Sequence, residues 1–136
     1  MAVEISGRYT GKLGTEMIHG PSGTALKTAA PVDNLGDGSS FSPTDLMAAA
    51  LASCAVTTMA IVAQRDGLDL SGVTFHVEKH MANDPRRVGK LPVRIEMPRG
   101  LAPAVRQKLE RAAQTCPVQK SLPPEVETDL RFVYPD

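Results

Sequence analysis

The reading of the fold turns on one stretch, Ser42-Pro43-Thr44-Asp45-Leu46-Met47-Ala48-Ala49-Ala50-Leu51-Ala52-Ser53-Cys54-Ala55-Val56-Thr57-Thr58-Met59-Ala60-Ile61-Val62-Ala63-Gln64-Arg65-Asp66. Its opening is a strong helix start. Ser42 supplies a cap, Pro43 suits the first helical position, and the acid of Asp45 three residues on favours the positive end of the helix. From Leu46 to Ala63 no residue is charged, and the first residue able to stop the helix is Gly67. At 1.5 Å per residue the predicted helix is roughly 36 Å long. Its uncharged run approaches membrane-spanning length, but Ala, Ser, Thr and Cys dominate it and are weak material for lipid. A core helix is expected, with no membrane association. A helix apolar on nearly every face must be covered on every face, and a chain this short has too few bulky residues to do so alone. A homodimer that buries two such helices together is the natural solution.

Working outward, the N-terminal segment carries three strand-like runs broken by glycine, Val3 to Tyr9, Leu13 to Ile18 and Thr24 to Thr28, and reads as a β-meander. Residues Pro31 to Phe41, rich in Gly, Asp, Asn and Ser, form a loop. After Gly67, Val73 to Met81 alternates apolar and polar residues as a half-buried strand does. Asn83-Asp84-Pro85 makes a turn, and Leu91 to Met97 returns with Val93, Ile95 and Met97 on one face. Pro103 opens a second helix that carries Val105, Leu109, Ala112 and Ala113 on one side and ends near Cys116. Pro117 starts a short further turn, and Val126 to Tyr134 is the last strand. The order βββ-α-ββ-α-β is α+β, without the repeated βα alternation of a doubly wound sheet. One domain over residues 1–136 is expected.

Composition excludes several classes. The 15 basic and 15 acidic residues cancel, and neither sign forms a long block, so nucleic acid is not an expected partner. Met1 to Arg8 lacks the pattern of a secretory signal, and two cysteines are too few for a disulfide scaffold. A cytoplasmic location is therefore expected, where a disulfide is more often transient and catalytic than structural.

The chemistry-bearing residues are the two cysteines, Cys54 and Cys116. Cys54 lies too deep in its helix for the helix dipole to act on it, so a cation from elsewhere would have to activate it. Arg8 and Lys12 of the N-terminal strands are the candidates. Cys116 precedes Pro117 and can cap the following turn, where its thiolate would feel the next amides. On local physics either thiol could be the nucleophile, and both could equally be inert core residues. His76 and His80 share a strand face with Glu78, but same-face neighbours stand about 7 Å apart. A solvated polar face is expected there, with no metal site and no cofactor. A Cys54–His80 acyl-transfer pair lacks an orienting third member.

Ser42-Pro43-Thr44-Asp45-Leu46, the small-residue helix Ala48-Ala49-Ala50-Leu51-Ala52-Ser53-Cys54 and the distant Cys116-Pro117-Val118 together resemble the OsmC/Ohr family of thiol-dependent peroxidases. The resemblance covers nearly the whole chain. It implies an OsmC-like fold: an intertwined homodimer whose long central helices are wrapped by antiparallel sheets, with the cysteines at the subunit interface. It also implies that Cys54 is peroxidatic and attacks the O–O bond of an organic hydroperoxide or hydrogen peroxide. Cys116 then resolves the sulfenic acid to a disulfide, which an external thiol or dithiol reduces. Organic-hydroperoxide members hold the thiolate with an N-terminal arginine, oriented by a glutamate ten positions before the nucleophile. That position is Thr44 here, with Asp45 beside it, and Arg8 or Lys12 would take the arginine's part. Two readings of other kinds stand beside this one. One is a non-enzymatic dimer that binds a small apolar ligand at its interface, with silent cysteines; the other is a thiol-dependent hydrolase or transferase.

Overall fold

The computed structural model describes residues 1–136, which form two compact units, Met1–Leu46 and Met47–Asp136. In the first unit β1 (Ile5–Gly11), β2 (Gly14–His19) and β3 (Ala25–Ala29) make an antiparallel meander in the order β1-β2-β3. Each strand lies within two residues of its expected position. The β1–β2 turn holds Lys12 and Leu13 at positive φ, 53° and 62°, and the Leu13 amide donates to the Tyr9 hydroxyl at 3.1 Å. The loop after β3 folds back on itself: the Asn34 and Gly36 amides both donate to the Pro31 carbonyl at 2.9 Å. A Cβ on Gly36 would stand 1.8 Å from the Ala30 carbonyl oxygen, so only glycine permits this return.

Helix α1 (Pro43–Arg65) starts where its capping residues predict. The Asp45 amide donates to Ser42 Oγ at 3.1 Å, and the Ser42 amide donates to Asp45 Oδ2 at 2.8 Å, a reciprocal capping box. At the other end Gly67 takes φ 73°; its amide donates to the Gln64 carbonyl while the Leu68 amide donates to that of Ala63. This is the Schellman arrangement, and it explains why the helix stops there.

The second unit packs α1 on a mixed sheet of β4 (Thr74–Val77), β5 (His80–Ala82), β6 (Arg87–Glu96) and β7 (Glu127–Val133). The expected single strand from Val73 to Met81 is broken. Val77 pairs with Val93 and His80 with Lys90, and between them the Glu78 amide donates to the carbonyl of Pro92. Pro92 has no N–H to return, so the ladder is interrupted and resumes as β5. β7 joins β6 in parallel, which the intervening helices α2 (Pro103–Gln114) and α3 (Pro117–Ser121) make possible.

The core lies between α1 and the sheet. Ala48, Leu51, Ala52, Ala55, Met59 and Ala63 recur at helical spacing on the buried stripe of α1. They meet Val88, Leu91, Val93, Ile95 and Met97 of β6 and its exit, with Leu109 and Ala113 from α2. The opposite side of α1 is left open: Ser53, Thr57 and Ile61 are exposed. By length and composition α1 is the one helix able to cross a membrane, but its buried stripe is fitted to the unit's own sheet.

Candidate active site

Both cysteines belong to the second unit, and both are free thiols. Cys54 rides on the flank of α1 beside the buried stripe, half-exposed and packed against the core. One helical turn further on, Thr58 brings its Oγ1 to 3.9 Å from Cys54 Sγ. The i, i+4 spacing that makes this contact is visible in the sequence.

Cys116 closes α2 and precedes α3 with an extended backbone, φ −65° and ψ 157°, and is wholly buried. Its carbonyl accepts from the Lys120 amide at 3.1 Å, which fixes the residue as the cap of α3. The thiol lies close enough to Cys54 and to the amides of Gln119 and Val118 for each to bear on its ionisation. Burial pushes the Cys116 thiol above its usual range; the Gln119 amide pulls the other way, and the neighbouring Cys54 sulfur raises it again. The fold thus brings together two thiols far apart in sequence, one reachable from solvent and one not.

The other predicted residues occupy the first unit. Arg8 is exposed on β1 with its guanidinium 3.6 Å from Glu16, which Lys27 also approaches at 3.9 Å. Lys12 sits in the strained β1–β2 turn. Arg8, Lys12, Glu16, Lys27 and Asp37 line one polar hollow of about 440 Å³. Asp45 is engaged in the cap of α1.

The histidines form the solvated face that their alternation predicts. Glu78 receives His80 Nε2 at 2.9 Å and stands 3.8 Å from His76 Nε2, all three exposed. No group of three His, Cys, Asp or Glu side chains is placed to hold a metal ion. A cluster the sequence reading missed lies at the C-terminal end. There Tyr134 donates to Glu110 Oε2 at 2.5 Å, Arg106 stacks 4.1 Å over the Tyr134 ring, and Arg106 also pairs with Asp136 at 3.1 Å. Its partners are remote in sequence, so no local pattern announces it.

Fold and thiols together define an α+β protein that carries a dithiol centre between its long helix and the cap of a short one. The chain belongs to the OsmC family: the model of that family, described as OsmC-like protein, matches residues 36–131. A solved structure from Psychrobacter arcticus 273-4, named for osmotic stress induction and the detoxification response, is 38% identical with a TM-score of 0.90, and the match covers 98% of this chain and 96% of that one. The organic hydroperoxide resistance protein OsmC of Legionella pneumophila shares the fold at 22% identity and TM-score 0.72, over 97% and 96% of the two chains. OhrB of Bacillus subtilis, an organic hydroperoxide resistance protein, does so at 17% and 0.68, over 98% of each. Among curated protein sequences none matches.

Proposed function

We propose that the protein is a thiol-dependent peroxidase of the stress response, with Cys54 as the peroxidatic residue and Cys116 as the resolving one. The observation that carries this reading is the contact between a half-exposed thiol and a buried one, both free. Cys54 is the thiol reachable from solvent, which supports it as the residue that meets substrate, and the nearness of the buried Cys116 supports a resolving role for the second thiol. The names of the Legionella and Bacillus relatives support organic hydroperoxides as the substrate class, with hydrogen peroxide the smaller alternative. An external thiol or dithiol returns the disulfide to the starting state. The working form is a homodimer in the cytoplasm; the open side of α1, with Ser53, Thr57 and Ile61 uncovered, supports the dimer. The Cys54 thiolate needs a positive charge beside it to be an effective nucleophile.

The test is the intact mass of the reduced protein after one equivalent of cumene hydroperoxide. Loss of two hydrogens is expected in the wild type and gain of one oxygen in Cys116→Ser. An unchanged wild-type mass rejects the reading.

A second reading, a non-enzymatic dimer that holds a small apolar ligand, is favoured by an apolar hollow of about 510 Å³ in the first unit. Ile5, Met17, Leu26 and Leu46 line it, with His19 and Ser22 at its rim. Under that reading both thiols stay titratable after peroxide, and decanoic acid raises the melting temperature.

A further inference from the structure

Resting on the peroxidase reading, we infer that Thr58 readies Cys54 for attack: its hydroxyl donates to the Cys54 thiolate and makes that anion easier to form. A serine or threonine in a helix ordinarily gives its hydroxyl to a backbone carbonyl three or four residues back. Ser53, Thr115 and Ser121 do so here, to the carbonyls of Ala50 at 3.3 Å, Arg111 at 2.9 Å and Pro117 at 2.8 Å. Thr58 is used differently. Its Oγ1 stands 3.9 Å from Cys54 Sγ, one turn back on α1. Helical side chains lean toward the N-terminus of their helix, so a threonine at i+4 reaches back over a cysteine at i. Both residues are half-buried on the flank of α1, where water competes less for the sulfur.

The proton count decides what this contact does. Between a neutral thiol and a hydroxyl either group can donate, and sulfur takes part weakly in both directions. A thiolate has no proton to give, so the hydroxyl must donate, and the contact becomes a charge-assisted one that shortens and strengthens. A hydrogen bond made to the charged form favours that form. No bond is made or broken at Thr58, and its proton stays on oxygen. The donation also has an effect of opposite sign: a stabilised thiolate is a weaker nucleophile, by about half as much on a logarithmic scale as its population rises. Thr58 is therefore a positioning residue that acts through Cys54. It speeds attack where the thiol is mostly protonated and slows it where the thiol is fully ionised.

That reversal is the test. Reduced protein is mixed with 4,4′-dithiodipyridine, a small neutral disulfide, and the second-order rate of thiopyridone release is followed from pH 6 to 10 for wild type, Thr58→Val and Thr58→Ser. Peptide mapping assigns the reaction to Cys54. A hydrogen bond to a charged group is worth about tenfold in an equilibrium, and the valine variant's sulfur is about threefold more nucleophilic without it. Thr58→Val is therefore expected to react about threefold slower than wild type at pH 6 and about twofold faster at pH 10. Thr58→Ser keeps the hydroxyl and is expected to follow wild type. Equal rates, a valine deficit of one size at every pH, or a serine variant that behaves as valine does overturns the inference. Should Thr58→Val not fold, Thr58→Ala, a better helix former that also lacks the hydroxyl, carries the same expectations. The reagent contains no peroxide, so the hydrogen bond and the peroxidase reading fail separately. Profiles that cross, in a protein whose mass cumene hydroperoxide leaves unchanged, uphold the hydrogen bond and reject the peroxidase reading. Profiles that never cross, in a protein that does form the disulfide, reject the hydrogen bond alone.

Discussion

Cys116, at the cap of α3, lays a fully buried thiol against that of Cys54, which sits half-exposed midway along α1. This asymmetry sets the order in which the two react. Iodoacetamide on the native reduced protein should modify Cys54 at least about tenfold faster than Cys116, because Cys54 is reachable from solvent whereas Cys116 is buried and burial holds its thiol protonated. Peptide mapping after a short exposure reads the ratio; equal labelling would mean the core around Cys116 opens readily.

The same burial makes the protein sensitive to alkali. A thiol whose folded pKa is raised keeps its proton in the native state while the unfolded chain has already lost it, so the native state binds more protons and stability falls as pH rises. The stabilising effect is fully present below the ordinary value of 9.0 and is lost progressively above it. One proton corresponds to at most about 1.4 kcal/mol per pH unit. The titratable neighbour that bears on Cys116 is Cys54. Tyr134 adds a second loss starting above 10.0, since burial and the Glu110 carboxylate hold its hydroxyl protonated. Melting temperatures from pH 8 to 10.5 should fall more steeply for wild type than for Cys116→Ser, and parallel curves would remove Cys116 as a cause.

What the sequence disclosed follows from how local each signal is. The cap at Ser42, the stop at Gly67 and the glycine-broken meander depend on neighbours a few residues away, and each was legible. The break between β4 and β5 was not, because it comes from Pro92 on the opposing strand: a missing donor acts on its partner rather than on its own segment. The thiol pair was half legible. Cys116-Pro117 announced a cap, but only the fold shows that this cap arrives at the side of α1 that carries Cys54. Tyr134 and Glu110 meet through tertiary packing alone.

The open side of α1 makes the dimer testable. Ile61 is 48% exposed in the single chain, an unusual setting for a large apolar residue on a core helix. Ile61→Asp should dissociate the dimer, shifting the mass measured by light scattering toward one chain. A monomeric protein would tolerate the change within about 0.5 kcal/mol. A wild type that already runs as a monomer rejects the oligomeric proposal, whereas a mutant that stays dimeric moves the interface elsewhere.

Ser42 and Asp45 carry the last prediction. They exchange two hydrogen bonds across the first turn of α1, and Ser42 is buried, so its hydroxyl has no water to fall back on. Ser42→Ala should cost about 1 to 2 kcal/mol, at the upper end for an N-cap because the freed Asp45 amide is left in a part-buried setting. Asp45→Ala removes the acceptor for the Ser42 amide and a favourable charge at the helix start, for about 1 kcal/mol. The two bonds close one box, so the double variant should lose less than the sum of the single losses. Urea unfolding of the four proteins gives this coupling directly. Strict additivity would show that the two residues act separately and that Asp45 answers to some other partner.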